Sequence, residues 1–300
     1  MSSGRPAHGF PPGLALAVAV IVVSWGAILV RLCDAPSIAI AFYRMAIAGA
    51  LVLPWGLRAA GRVGGTTFGW AAAAGALLAL HFATWISSLA YTTVASSVVL
   101  VSAQPVFTAM LAPVLVGERP GRRGWGAVAL TFAGTAVLAG GDWRADRDAL
   151  LGDLLALAGA LAAALYLTIG RRVRDRIGFA RYLTIVYGTG AACLLLLTVL
   201  GGVALRGYSQ ATWLWLVLIA VGPNLTGHSL LNWSVRRLRT LTVSLALLGE
   251  PLLATLYAAV LLGETPRPSF YGGAVLIVAG VALAVVEEAA RSREAGDALA

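Results

Sequence analysis

The feature that most constrains this 300-residue chain is a series of long apolar runs, separated by charged residues or by Gly and Pro. Each run has roughly 17–24 residues, the length at which a helix crosses a hydrocarbon layer about 30 Å thick. Apolar residues make up 59% of the chain and charged residues only 12%, whereas soluble domains contain about 45–50% and about 25%. A water-soluble core cannot bury so much apolar surface, so the sequence predicts an all-α integral membrane protein.

The breaks between the runs predict ten transmembrane helices. The first is too long for a signal peptide and lacks a convincing cleavage site after it, so we expect it to be retained. The ten predicted spans are Gly13–Leu32, Pro36–Leu57, Phe68–Tyr91, Thr93–Val116, Gly124–Leu138, Leu150–Gly170, Tyr182–Ala204, Thr212–Val235, Thr240–Leu262 and Phe270–Val286.

The composition argues against several classes of protein. All 22 basic residues are arginines, so the chain lacks the lysine of a phosphate-binding loop and cannot power transport with ATP by itself. The net charge of +9 does not indicate a nucleic-acid partner, because the arginines lie in short loops and form no continuous soluble face. The two cysteines, Cys33 and Cys193, show neither metal-ligand spacing nor a disulfide framework. We therefore expect no metal and no cofactor.

The distribution of arginine predicts the orientation, because cytoplasmic loops carry the excess of basic residues. With the amino terminus inside, sixteen arginines fall on the cytoplasmic side and five on the other, while Arg44 lies within a span. Both termini are then expected in the cytoplasm.

The two halves of the chain resemble each other. A shift of 146 residues aligns Pro105 with Pro251, Gly117-Glu118 with Gly263-Glu264, and Gly134 with Gly280, with twelve identities in the thirty-two pairs that start at residues 105 to 136. Because each half contains five predicted spans, the second copy would enter the membrane upside down, as in many secondary transporters. The predicted organisation is a tail at 1–12, a first repeat at 13–140, a second repeat at 150–286 and a tail at 287–300.

Several motifs are similar to those of a known group. Trp25-Gly26, Ala41-Phe42-Tyr43-Arg44, and the Pro…Gly-Glu…Pro…Gly pattern of both halves resemble the EamA-type members of the drug/metabolite transporter superfamily. The resemblance covers about residues 14–286. It implies a ten-helix transporter with a central cavity that exports small organic molecules across the bacterial cytoplasmic membrane, and it does not specify the substrate.

Polar residues recur on single faces of two predicted spans. His81, Trp85 and Ser88 share one face of the third span, and Asn224, His228 and Asn232 share one face of the eighth. The second stripe follows Gly222-Pro223, which we expect to open the helix locally, because proline lacks an N–H group and clashes with the preceding turn. Polar groups within a membrane are costly and usually face a pathway, so these stripes are candidate substrate-binding residues. Hydrogen bonding between packed helices is the alternative. Trp25, Trp85, Tyr166 and Tyr187 could add an aromatic lining, or they could simply pack.

One pair of repeat-related positions suggests ion coupling. Gln104-Pro105 in the first half corresponds to Glu250-Pro251 in the second, so one position is neutral and the other ionisable. A carboxyl in an apolar setting can bind and release a proton near neutral pH. We expect Gln104 to contact substrate and Glu250, with Arg44, to couple transport to protons. Packing of a protonated Glu250, and binding of helix-end carbonyls by Arg44, are the structural alternatives.

These features favour a secondary exporter of a small metabolite, such as an amino acid or a related compound, that works by alternating access. An uncoupled facilitator or channel is the alternative. An intramembrane enzyme is less favoured, because neither a Gly-x-Ser-x-Gly elbow nor a His-Glu-x-x-His motif occurs. The expected partners are the substrate and the lipid bilayer, and a monomer is compatible with the sequence.

Overall fold

A computed structural model describes residues 11–59, 61–92, 94–139, 147–262, 266 and 268–297. The first ten residues of the predicted amino-terminal tail, most of the loop before Arg147, and the motif Gly263-Glu264 lie outside these ranges. In the described ranges the regular elements are helices. They are α1 (Pro12–Val23), α2 (Trp25–Leu32), α3 (Ser37–Arg58), α4 (Gly65–Ser88), α5 (Val94–Val101), α6 (Gln104–Leu115), α7 (Arg122–Ala139), α8 (Arg147–Val173), α9 (Phe179–Leu200), α10 (Gln210–Ile219), a π-helical segment (Ala220–His228), α11 (Ser229–Val235), α12 (Thr240–Ala246), α13 (Gly249–Leu262) and α14 (Pro268–Asp297).

Eight of the described helical stretches are long and apolar enough to cross a membrane, which makes the chain a multi-pass membrane protein. Two of the ten predicted spans are not among the eight. The fourth contains only a shorter apolar helix over Val99–Leu115, and the fifth corresponds to α7. The count of ten therefore stays a prediction.

The ends of the helices follow local chemistry. The Ser209 hydroxyl accepts a hydrogen bond from the Thr212 amide at 3.1 Å and so caps α10. Helix α8 has Asp148 in its first turn and Arg171 and Arg172 in its last. Charges of these signs at these ends stabilise the helix dipole.

Four of the apolar stretches are interrupted near their middle. Ser24 separates α1 from α2, residues 102–103 separate α5 from α6, and residues 247–248 separate α12 from α13. In the fourth, Pro223 lies within the π-helical segment between α10 and α11. Proline cannot donate the backbone hydrogen bond of a regular helix, so the predicted opening after Gly222-Pro223 takes the form of a wider π turn.

The helices pack as two related sets. Helix α3 packs against α9, and α7 against α14, so these elements meet their counterparts of the other half. Helix α4 packs along α8, and α1 packs along the π-helical segment and α11. If each element is replaced by its counterpart in the other half, the first of these two pairings becomes the second, and the second becomes the first. The contacts thus follow the repeat that the sequence predicts.

Two repeat-related glycines bring α7 and α14 together. A Cβ added to Gly134 would lie 2.8 Å from the Gly273 carbonyl oxygen, and one added to Gly280 would lie 2.9 Å from the Ala127 carbonyl oxygen. Only glycine permits such an approach of backbone to backbone, as in other membrane helix pairs. The repeated Gly134 and Gly280 are therefore packing positions.

The last helix runs past residue 286, where the predicted carboxyl-terminal tail begins. Helix α14 continues to Asp297, and Glu287 is buried. The Glu287 carboxylate accepts a hydrogen bond from the Gly121 amide at 3.1 Å and pairs with Arg239 at 3.4 Å. Glu288 likewise accepts hydrogen bonds from the Arg239 amide at 3.2 Å and the Thr242 hydroxyl at 2.7 Å, so acidic residues of this segment join the ends of neighbouring helices.

Candidate functional site

A cavity of about 130 Å³ lies in the interior of the helix bundle, where the interrupted helices meet. Val23 and Gly26 line it from the first interruption, Ser102 and Gln104 from the second, and Leu248 beside Glu250 from the third. His228 lines it from the end of the π-helical segment. Both halves of the chain therefore contribute to one space, and they do so at the points where regular helix is broken.

Helix α4 supplies an aromatic wall. His81, Phe82 and Trp85 all line the cavity, and the His81 and Trp85 rings are stacked with centroids 6.0 Å apart and planes 3° apart. The Nδ1–H of His81 donates to the Gly159 carbonyl at 3.0 Å, which fixes the ring against α8. Tyr166 completes the wall from α8. The resulting surface suits a flat or apolar part of a solute.

Arg44 places a buried positive charge at this wall. The residue is 3% exposed, and its guanidinium carbon lies 3.7 Å from the centroid of the Phe82 ring. A cation in this position is attracted to the face of the ring. Its Nε makes no hydrogen bond to the described part of the protein. An Arg with a free N–H beside a cavity can bind a carboxylate.

Glu250 lines the same cavity at the start of α13. Its amide donates to the Leu247 carbonyl at 2.9 Å, which holds the residue at the helix interruption. Arg44 and Glu250 interact electrostatically, yet no direct ion pair joins them in the described ranges. Both side chains therefore face the cavity without being joined to each other among the described residues. Gln104, the repeat counterpart of Glu250, also lines the cavity, and the Gln104 Nε2 has no hydrogen-bond partner among the described residues.

Three predicted site residues lie elsewhere. Asn224 is fully buried and donates through Nδ2 to the Arg44 carbonyl at 2.9 Å. Asn232 donates to the Tyr166 hydroxyl and, at 2.8 Å, to the His228 carbonyl. Trp25 is 37% exposed and stacks on Tyr257 with ring centroids 4.7 Å apart. None of the three lines the cavity, and the two asparagines instead hold residues that do.

The sequence interpretation missed Phe82. It lies beside His81 in the motif His-Phe-Ala-Thr-Trp, and Leu78, Phe82 and Trp85 recur at i, i+4 and i+7 on α4. This apolar stripe could have been read together with the polar one. Ser88, placed on the polar stripe, donates to or accepts from Ser97 at 2.7 Å and belongs to the packing of α4 with α5.

A network of charged groups joins the helix ends at one face of the bundle. Arg171 pairs with Glu118 at 2.8 Å and donates to the Arg236 carbonyl at 2.6 Å. The second Glu118 oxygen accepts from the Thr240 amide at 2.8 Å. We call this set of contacts the Glu118 latch, and the face around it, with Arg174 and Arg237, the arginine-rich face. Glu118 lies in the first half of the chain and Arg171 and Thr240 in the second, so the latch connects both halves.

The chain matches the model of the EamA-like transporter family over residues 12–140 and again over 150–286. No curated protein is similar enough to match. A crystal structure, described only as that of a protein, superposes with a TM-score of 0.77 at 22% sequence identity, and the alignment covers 92% of this chain and 98% of the other. At this identity the likeness concerns the fold alone.

Proposed function

We propose that this chain, which belongs to the EamA-like transporter family, is a secondary active transporter that exports a small organic metabolite by alternating access. The observation that carries the proposal is the central cavity, which both halves line at interrupted helices. Broken helices around a central site are typical of secondary transporters, because they present polar groups to a solute within the membrane. Alternating access would open this space first to one side and then to the other.

The lining favours an amphipathic carboxylate, such as an amino acid or a related compound. Arg44 would bind the carboxylate, and the wall of Phe82, Trp85 and Tyr166 would contact an apolar side chain. One cationic group is too little for a dianionic phosphate, which is usually bound by several cations. His81, His228 and Gln104 would add polar contacts.

Glu250 is our candidate for coupling to a proton gradient. It shares the cavity with Arg44, and no direct ion pair joins the two among the described residues. When a substrate carboxylate occupies Arg44, the electrostatic support for a charged Glu250 decreases, and the carboxyl binds a proton more readily. Binding of substrate and of proton would thus depend on each other.

The same proposal places ten spans in the bacterial cytoplasmic membrane with both termini inside, so that the arginine-rich face is cytoplasmic. Asp175, which is exposed on that face, and Asp148, which is exposed at the opposite end of α8, can each be replaced by cysteine. An impermeant thiol reagent added to intact cells should label position 148 and not position 175. The reverse pattern would invert the proposed orientation.

The decisive experiment is solute flux in proteoliposomes. A comparison of metabolites retained by cells with and without the protein identifies the candidate solute, and the purified protein is then assayed with and without an imposed pH gradient. If the proposal is right, solute flux is seen only in proteoliposomes that contain the protein, and it is lost in Arg44→Gln. Accumulation driven by the pH gradient supports coupling, whereas flux indifferent to the gradient indicates a facilitator. Absence of flux for every candidate would contradict the proposal.

A further inference from the structure

A column of buried polar side chains leads from the cavity toward the arginine-rich face. It begins at Tyr166, which lines the cavity and accepts a hydrogen bond from Asn232. A Cβ added to Gly170 would lie 3.7 Å from the Asn232 Oδ1 and 2.8 Å from the Tyr182 hydroxyl, so both groups lie beside this glycine. The column ends at Arg174, whose guanidinium carbon is 5.0 Å from the centroid of the Tyr182 ring.

The Arg174 side chain makes fewer hydrogen bonds than a buried arginine usually does. It is 2% exposed, and its one hydrogen bond to the described residues from the side chain runs to the Ile177 carbonyl at 3.4 Å. Its Nε, like the Tyr182 hydroxyl, is buried without a partner in the described ranges. Buried polar groups are normally satisfied, and an exception needs a physical reason.

The charged groups around Arg174 do not balance its positive charge. Burial lowers the pKa of Arg174, and the nearby positive charges of Arg236 and Arg237 lower it further. Tyr182 and Asp175 act in the opposite direction. The Asp175 carboxylate is engaged with Arg236 at 3.1 Å. The surroundings therefore carry an excess of positive charge that an anion would relieve.

Arg174 also repeats the arrangement found at the cavity. Arg44 and Arg174 are both buried, both face aromatic rings and both have an Nε without a partner among the described residues. Arg44 stands over Phe82, and Arg174 stands 4.9 Å from the Phe179 ring as well as beside Tyr182. Arg174 therefore stands at one end of the polar column, and Arg44 lines the cavity at which the other end, Tyr166, begins.

We propose that Arg174 is a second anion-binding station, which receives the carboxylate of the solute at the arginine-rich face before it reaches Arg44. The proposal rests on the function proposed above, because it assumes a solute that crosses this half of the bundle. In the conformation described here the column is closed, and the Glu118 latch joins the helix ends beside it. Opening of the latch would admit the anion to Arg174 and hydrate the groups that now lack partners.

The test measures charge selectivity with thiol reagents, so it requires no knowledge of the solute. Asn232→Cys is introduced in a background with Cys33→Ala and Cys193→Ala, and the full-length protein is placed in sealed vesicles with the arginine-rich face outward. An anionic methanethiosulfonate and a cationic one are added separately. We expect the anionic reagent to react faster, and Arg174→Gln to lower the ratio of the two rate constants by about tenfold, because one charge acts oppositely on the two reagents.

Two further variants control this experiment. Arg174→Lys keeps the charge and should keep the ratio. Arg172→Gln removes an equal charge from an exposed neighbour and should change the ratio by less than about twofold, since surface charges are screened. An unreactive thiol at position 232, an unchanged ratio in Arg174→Gln, or an equal effect of Arg172→Gln would overturn the second station. These results would leave the flux assay, and hence the proposed function, unaffected.

Discussion

Glu250 and Gln104 hold equivalent places in the two repeats, and only Glu250 can carry a proton. We expect Glu250→Gln to exchange substrate down its gradient and to lose accumulation driven by pH, because the amide keeps the shape of the side chain while it fixes the neutral state. Flux in proteoliposomes with and without a pH gradient measures both activities. Asp175→Asn, which alters an exposed carboxylate, should keep both. Full pH-driven transport in Glu250→Gln would assign this carboxyl to packing.

Phe82 positions the cation that we expect to bind the substrate. A ring beneath a desolvated guanidinium contributes about 2 kcal/mol, so Phe82→Leu should raise the KM for a carboxylate substrate by up to about thirtyfold. The control is Phe68→Leu on the same helix, where the side chain is 51% exposed. Initial rates over a range of substrate concentrations distinguish the two variants. Equal KM values in both would mean that Phe82 serves packing alone.

The predicted polar stripes were only partly informative about the site. Spacing at i and i+4 on a regular helix correctly relates His81 to Trp85, which both line the cavity. The same spacing groups Asn224 with His228, yet Asn224 points to the Arg44 carbonyl. These two residues lie in the π-helical segment, where bonding from i to i+5 changes the rotation per residue. The spacing does not show that the Asn224 amide is taken up by a backbone acceptor while His228 lines the cavity.

At the scale of the helices, the close pairing of α7 with α14 depends on glycine. Gly134→Val should lower the stability by about 2 kcal/mol, because the new side chain would meet backbone atoms of α14 that cannot move aside. The change is measured as the midpoint of thermal unfolding in detergent. Gly69→Val adds the same side chain to α4 at a position with no atom within 4 Å. A midpoint for Gly134→Val at or above that of Gly69→Val would contradict this account.

The sequence located the apolar stretches well and their interruptions poorly. Predicted span ends agree with the helices to within a few residues in most cases, as for Pro36–Leu57 and α3. The break at Ser24 has no proline, and the Ser24 hydroxyl donates to the Val20 carbonyl at 2.6 Å within the helix. Such a break depends on what packs around the chain. Pro223 predicts an opening from the local sequence, whereas no opening was predicted at Pro105 and Pro251, which follow two other interruptions.

At the scale of the whole molecule, the Glu118 latch holds both halves together at the arginine-rich face. Glu118→Gln removes the charge that pairs with Arg171, a contact that is mostly shielded from solvent. A loss of about 1 kcal/mol from this contact would raise the open population about fivefold. The thiol at position 232 should then react about fivefold faster with reagents added at that face.

The control for the latch is the ion pair between Arg236 and Asp175, whose side chains are 47% and 67% exposed. Asp175→Asn removes a charge from the same face without touching Glu118, so the reactivity of position 232 should stay within about twofold. If both variants increased the reactivity equally, the latch would be no more than one surface charge among many.

The pairing of α7 with α14, and of α3 with α9, has a consequence for the origin of the chain. Each of these contacts joins an element to its own counterpart. A half-length ancestor that inserted into the membrane in both orientations would therefore have carried both sides of these interfaces on one polypeptide. Fusion of two gene copies would then have added a linker and freed the halves to diverge. One position of the ancestor is now an amide at residue 104 and a carboxyl at residue 250.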